Sequence, residues 1–191
     1  MKEKSNFVET NGGTEVRKAV LFIAMSLDGY IADRNGGVGW LNGQENEGEN
    51  NDTYFEFVKD IDTVLMGWNT YYQVVNELSP TEWVYNDFTT YVFTHKEIAS
   101  TENIAFTNES PTDLLKKLKA QEGKDIWICG GANLIAQLMR ENLIDRYYIS
   151  VIPVLLGEGI RLFGEFTNQQ KLRLMKTQSY NGIVELIYEC R

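Results

Sequence analysis

Histidine is nearly absent from this chain, and cysteine is scarce. Of 191 residues, one is His and two are Cys. His95 stands between Thr94 and Lys96, and a single imidazole cannot build a histidine-based metal centre. Cys129 and Cys190 carry no metal-ligand spacing, so a reduced, cytoplasmic protein is the economical expectation. Long apolar runs are missing too: none approaches the roughly 18 residues of a membrane span. Met1 to Thr14 is polar and broken by Asn11-Gly12-Gly13, which speaks against a signal peptide and for a flexible extension over residues 1–18. Basic side chains are outnumbered, 18 against 27 acidic ones, for a net charge of −9. Nucleic acid and anionic membrane surfaces would be repelled. A small anionic ligand is not excluded, because a local cluster of donors can oppose the overall charge.

What is present describes an ordinary globular chain, 43% hydrophobic and 24% charged. Its length suits one domain with a substantial core, expected over residues 19–191. Apolar runs alternate with helical patterns. Strands are expected at 19–25, 63–66, 90–94, 104–107, 126–129 and 146–156, the last with Pro153 at an edge or bulge. A helix is expected from Asn51 or Asp52, with Tyr54, Phe55, Phe57, Val58 and Ile61 as its apolar stripe. Others are expected from Trp68 and, behind Ser110-Pro111, along Leu114, Leu115 and Leu118. Two closing strands, 172–180 and 183–188, flank Asn181-Gly182, a strong hairpin signal. This order predicts an α/β sheet with an antiparallel edge.

One stretch carries chemistry. Ile126-Trp127-Ile128-Cys129 reads as a strand covered on both faces, Gly130-Gly131 as a turn, and Leu134, Ile135, Leu138 and Met139 as one face of a helix. Glycines there let a ligand approach the backbone, and a helix start offers free N–H groups to a phosphate. A tight turn alone would also explain them. The same strand–glycine–helix order recurs at Thr63-Val64-Leu65-Met66-Gly67-Trp68, which strengthens the anion-site reading.

Five motifs follow in a fixed order: Met25-Ser26-Leu27-Asp28-Gly29-Tyr30-Ile31-Ala32; a glycine-rich loop ending in Trp40-Leu41; Val64-Leu65-Met66-Gly67 with Thr70-Tyr71; Cys129-Gly130-Gly131-Ala132; and Pro153-Val154-Leu155-Leu156-Gly157-Glu158-Gly159 with Leu162-Phe163. Together they resemble the dihydrofolate reductase superfamily, and most closely its branch similar to the reductase half of the riboflavin-biosynthesis deaminase-reductase RibD. The resemblance covers residues 19–189. It implies a three-layer α/β fold: a mostly parallel sheet of about eight strands, helices on both faces, and NADPH across the carboxyl ends of the strands.

Carried over by position, Gly67, Asn69 and Thr70 would bind cofactor phosphates at one helix start. Gly130, Gly131, Ala132, Asn133 and Leu134 would hold the pyrophosphate at the other. Ala24 and Ile31 would flank the nicotinamide under Trp40, while Thr94, His95 and Lys96 would meet the adenosine ribose and its 2′-phosphate. Homodimers are common among the proteins resembled, so a homodimer is expected.

Three positions depart from the pattern, of which Arg161, where relatives often carry proline, is a loop change of little chemical consequence. Trp68 stands where the family usually has arginine, which leaves more weight on Lys96 for recognising phosphate. Cys129 stands where the bifunctional enzymes carry an acidic substrate contact. The proton donor is therefore open between Asp52, which also suits a helix N-cap, and Asp28, which also suits a turn with Gly29. Tyr54 and Phe55 would stack on a flat substrate ring. The activity implied is NADPH-dependent reduction of a small pyrimidine- or pterin-like heterocycle, as in riboflavin biosynthesis. Dihydrofolate reduction, or nucleotide binding without turnover, are the alternatives.

Overall fold

A computed structural model describes residues 16–44, 53–164 and 169–191. Among the described residues ten strands, four α-helices and one π-helical segment follow in chain order: β1 (Ala19–Ser26), β2 (Tyr30–Ala32), α1 (Thr53–Val58), β3 (Ile61–Gly67), α2 (Trp68–Gln73) continued by the π-helical Val74–Leu78, β4 (Thr89–Phe93), β5 (Ile104–Thr107), α3 (Pro111–Lys119), β6 (Asp125–Gly130), α4 (Ala132–Arg140), β7 (Arg146–Ile152), β8 (Ile160–Arg161), β9 (Leu172–Tyr180) and β10 (Ile183–Cys190). Eight of the strands form one sheet in the order β5-β4-β3-β6-β1-β7-β10-β9, and β2 pairs with β8 beside it. Strands β5 to β7 of this sheet run parallel; β10 turns antiparallel to β7, and β9 to β10.

Alternation along the central strands assigns each face its helices. Leu21 of β1, Leu65 of β3 and Ile126 and Ile128 of β6 point one way, onto Leu114, Leu115 and Leu118 of α3 and Leu134, Ile135 and Leu138 of α4. Val20, Val64, Met66 and Trp127 point the other way, onto Phe57 of α1, with Trp68 and Tyr71 of α2 beside them. Each large aliphatic side chain buried here contributes about 1.5–3 kcal/mol. Both faces of β6 are covered, which is why its sequence shows no alternation. The β9–β10 turn takes positive φ at both Asn181 (46°) and Gly182 (74°), the backbone that a two-residue hairpin needs.

Three expectations need correction. The apolar stripe assigned to the first helix is cut short: α1 ends at Val58, Ile61 opens β3, Phe55 is 63% exposed and only Phe57 is buried. The N-cap expected at Asn51 or Asp52 lies outside the described residues. Strand β7 stops at Ile152, because Pro153 has no N–H for the ladder and the chain bends there, Val154 N–H bonding Ile152 C=O at 2.8 Å. The extension expected over residues 1–18 is too long at its end. Arg17 is only 5% exposed and donates to Asp62, to Thr63 Oγ1 at 2.7 Å and to the Lys124 carbonyl at 2.6 Å. A guanidinium with that many acceptors is bound into the base of the sheet.

Candidate active site

The two glycine junctions lie side by side. Strands β3 and β6 are parallel neighbours with Met66 opposite Gly130, so Gly67 and Gly131 leave the sheet at the same edge. A Cβ on Gly67 would sit 3.9 Å from the Gly131 nitrogen, and one on Gly131 would sit 3.5 Å from Thr70 Oγ1. Gly130 has φ +124°, a conformation that disfavours any side chain, and the Gly130-Gly131 peptide is cis. Helix α4 starts immediately beyond. Gly131 caps it without a side-chain bond, and the first bond along the helix runs from Ile135 N–H to Gly131 C=O at 3.2 Å. The amides of Ala132, Asn133 and Leu134 are therefore the open ones at its positive end. The Leu134 side chain is buried in the core, and the Asn133 side chain accepts from Gln137 at 2.9 Å, so both face the edge through their backbone. Asn69 is exposed on the first turn of α2.

The neighbouring strand ends complete this edge. Strand β4 pairs with β3 through Phe93 and Gly67, which brings Thr94, His95 and Lys96 beside α2. Thr94 Oγ1 accepts from the Lys96 amide at 3.1 Å, His95 is exposed, and Lys96 Nζ lies 4.0 Å from the centre of the Trp68 ring. At the other side, Ala24 stands near the end of β1. Ile31 packs against the α3–α4 cluster, whereas Ala24 shares the α1 face with Phe22, so the two approach from opposite sides of β1. Trp40 donates from its indole to Gly37 C=O at 3.2 Å, closing its own loop, and Gln73 holds that loop to α2 through Gly36 C=O at 2.9 Å.

Of the two carboxylates singled out in the sequence, Asp52 lies outside the described residues. Asp28 is a loop anchor. Its oxygens accept from Ser26 Oγ at 2.6 Å, Leu156 N–H at 3.1 Å and Gly157 N–H at 2.7 Å. These bonds, the Ser26 hydroxyl's foremost, bring its carboxyl down to about 2. A group so firmly ionised accepts hydrogen bonds and has no proton to give near neutrality. In this structure Asp28 anchors the loop that follows β7.

A buried carboxylate that the sequence reading did not single out, Glu185, lies on the α1 side of the sheet. Pairing sets Ala24 opposite Ser150, Ser150 opposite Glu185 and Glu185 opposite Gln178, a row across β1, β7, β10 and β9. Paired residues share a face, so this row lies on the α1 side, about 10 Å of strand spacing separating Ala24 from Glu185. Glu185 is only 4% exposed and accepts from Gln178 at 2.6 Å, Tyr180 at 3.1 Å and Ser150 at 3.5 Å. Gln178 also bonds Thr53 at the start of α1. The signal in the sequence was parity: Glu185 shares its side of β10 with buried Ile183, where an unpaired acid would not be tolerated.

An aromatic wall borders the same face. Phe22 stacks on Phe57 at 4.5 Å, and Tyr54 meets Phe22 and Trp127 edge-on, each at 6.1 Å. Tyr54 is 37% exposed and Phe55 more so, leaving both rings at the mouth beside α1. Cys129 points into this wall 4.0 Å from the Tyr85 hydroxyl. Burial pushes the Cys129 thiol up to about 11. Cys129 and burial together push Tyr85 upward, and burial does the same to Tyr54, so all three present neutral groups. Among the described residues no group of three or more His, Cys, Asp or Glu could hold a metal ion, and no helix is long and apolar enough to cross a membrane.

This edge, with two glycine junctions at the carboxyl ends of parallel strands, belongs to a known class. Residues 17–185 match the RibD C-terminal domain family, and the chain belongs to that family, on the dihydrofolate-reductase-like superfold. The Bacillus subtilis (strain 168) protein YwjB, itself uncharacterised, is 44% identical over 173 residues, covering 90% of this chain and 97% of its own. The crystal structure of a putative riboflavin biosynthesis protein from Shewanella sp. PV-4 has a TM-score of 0.79 at 27% identity, covering 91% of this chain and 99% of that one. A diaminohydroxyphosphoribosylaminopyrimidine deaminase/5-amino-6-(5-phosphoribosylamino)uracil reductase from Thermotoga maritima shares the fold with a TM-score of 0.64 at 15% identity; the match covers 93% of this chain and 57% of that one. The chain is thus a RibD-like reductase domain.

Proposed function

We propose that this protein is a cytoplasmic, NADPH-dependent reductase of a pyrimidine- or pterin-like heterocycle, most like the 5-amino-6-(5-phosphoribosylamino)uracil reductases. The observation that carries the reading is the cradle between Gly67 and Gly131, where a Cβ on either glycine would take up space facing the other junction. NADPH would supply a hydride from C4 of its nicotinamide. The open amides of Ala132, Asn133 and Leu134 would donate to the pyrophosphate, with the dipole of α4 favouring its charge. Gly67, Gly130 and Gly131 would let it lie against the backbone, and Asn69 and the Thr70 hydroxyl would add donors. Lys96, with Thr94 and His95, would meet the 2′-phosphate and its ribose.

On the substrate side, Ala24 offers a small side chain where a nicotinamide would lie flat, with Ile31 and Trp40 enclosing it. The row through Ser150 and Glu185 offers an acceptor for ring N–H groups, and Tyr54 and Phe55 offer faces for stacking. Asp52 and Glu185 are the carboxylates we assign to this side, either to orient the ring or to hold its proton. Cys129, a neutral thiol where the bifunctional enzymes carry an acid, favours a substrate less dependent on sugar hydroxyls. The test is to mix protein and NADPH and follow the loss of the cofactor's near-ultraviolet absorbance with a deaminated riboflavin precursor or with dihydrofolate. Oxidation with either supports a reductase. Tight NADPH binding without oxidation on both would make the chain a nucleotide-binding protein instead.

A further inference from the structure

Trp68 and Lys96 form a unit of which the cofactor reading uses only the lysine. Both residues leave adjacent parallel strands at the same edge, Trp68 directly after β3 and Lys96 three residues after β4, with Gly67 opposite Phe93. Thr94 is buried and tied to the next strand, its N–H bonding Thr107 C=O at 2.8 Å. Its hydroxyl then accepts from the Lys96 amide at 3.1 Å, which turns the chain back toward α2. The Lys96 ammonium ends 4.0 Å from the centre of the Trp68 ring, within the range of a cation–π contact. The ring is itself braced, by Tyr71 at 5.5 Å, Tyr72 at 6.0 Å and Phe106 at 6.5 Å between centroids.

Charge makes the arrangement unusual for this chain. With a net charge of −9, lysines commonly find carboxylates here, as Lys59, Lys117 and Lys119 do. Among the described residues Lys96 pairs with none, its sequence neighbour Glu97 included. A π face attracts an ammonium without neutralising it, so the ion keeps its charge and donors for an incoming anion. Parking a long side chain on a fixed ring also removes freedom that an anion would otherwise have to freeze out on binding.

We propose that Trp68 is a positioning residue for Lys96, and that the pair forms a preset cation site for a phosphomonoester on the ribose of an adenine nucleotide. Trp68 thereby sets the preference for NADPH over NADH. This rests on the cofactor reading above and specifies which end of the cofactor meets β4. The arrangement moves the cation from the turn after Met66-Gly67 to the neighbouring strand, with the aromatic ring as its support.

The experiment is a fluorescence titration of the intact protein with NADPH and NADH, repeated with adenosine 2′,5′-bisphosphate and adenosine 5′-monophosphate. The parent, Trp68→Leu, Trp68→Phe, Lys96→Ala and the Trp68→Leu/Lys96→Ala double variant are compared. The expected result is a loss of about fivefold to tenfold in the NADPH-to-NADH affinity ratio for Trp68→Leu, carried by NADPH alone. Trp68→Phe should recover most of it, because a smaller π face still holds the ammonium. The double variant should lose no more than Lys96→Ala, and the salt dependence of NADPH binding should fall in Lys96→Ala and less in Trp68→Leu, which keeps the charge. An unchanged ratio in Trp68→Leu, or losses that add in the double variant, overturns the proposal while leaving the cofactor reading intact. Failure of the parent to bind either dinucleotide overturns both.

Discussion

Gly67 and Gly131 confront each other across neighbouring strand ends: a Cβ on the first would lie 3.9 Å from the amide nitrogen of the second. The residues are far apart in sequence, and the parallel pairing of β3 with β6 brings them together. The result is one sheet edge with two helix starts side by side, where either junction alone would be an ordinary turn. Its position at the carboxyl edge of a parallel sheet is where ligands of open α/β folds bind.

Substitution at Gly131 should separate space from strain. Its φ of −87° is open to any residue, and a first carbon would meet only Thr70 Oγ1 at 3.5 Å. Gly131→Ala is expected to fold normally with a small loss of NADPH affinity. Gly131→Val, with two methyl groups at this edge, should lose about thirtyfold or more, roughly 2 kcal/mol. Titration of both variants beside their thermal melts checks this; an unchanged affinity in a folded Gly131→Val protein would remove the pyrophosphate from this edge.

Asp28 makes a prediction about acid. Its folded carboxyl sits at about 2, below the ordinary 3.8, so its contribution to stability is fully present above pH 4 and is lost as pH falls toward 2. Asp28→Asn should therefore be less stable than the parent at pH 6, with the gap closing as the pH falls through that window. Urea melts across it provide the measurement. A gap that stays constant would mean that the Leu156 and Gly157 amides do not depend on the charge.

Glu185 should matter to substrate more than to cofactor. Glu185→Gln keeps the shape and removes the charge, and is expected to leave NADPH affinity unchanged while lowering turnover about tenfold or more. Glu185→Leu should also cost about 1–3 kcal/mol of stability, because it strips acceptors from Gln178 and Tyr180. Equal turnover in the Gln variant would reduce this carboxylate to a structural part of the hairpin.

Cys129 should be inert. With its thiol near 11, the thiolate fraction at pH 8 is roughly one in a thousand. Iodoacetamide is expected to spare it in the folded protein and to modify it in urea, as peptide mass mapping would read. Rapid alkylation of the native chain would contradict its burial beside Tyr85.

The two strand–glycine–helix junctions at the edge we assign to the cofactor were legible in the sequence because each is written locally. An apolar strand, a glycine and a helix start fit within a dozen residues, twice, and the Asn181-Gly182 hairpin is equally local. The row of Ala24, Ser150, Glu185 and Gln178 that we assign to the substrate is united only by strand register; Ser150 and Glu185 alone are 35 positions apart. No window on the chain contains that row. Asp28 stayed open between two readings because an acid beside a turn glycine looks the same whether it serves a proton or a loop, and the loop it anchors lies 128 residues away. The α1 stripe misled at Ile61, since an apolar residue at helical spacing also opens a buried strand after the break at Lys59-Asp60. The sequence put the weight for phosphate on Lys96 in place of an arginine at Trp68, and what it could not show is that the two residues touch.

The central claim is that NADPH lies across the carboxyl ends of β1, β6, β3 and β4, and amide chemical-shift mapping of the isotope-labelled protein tests it most directly. Adding NADPH should shift the amides of Gly67, Thr70, Gly131, Ala132, Asn133 and Leu134 together with those of Ala24 and Lys96, and leave Asp125 at the opposite end of β6 unmoved. Saturating NADPH that leaves the Gly67 and Gly131 amides in place, or that moves Asp125 instead, would contradict it.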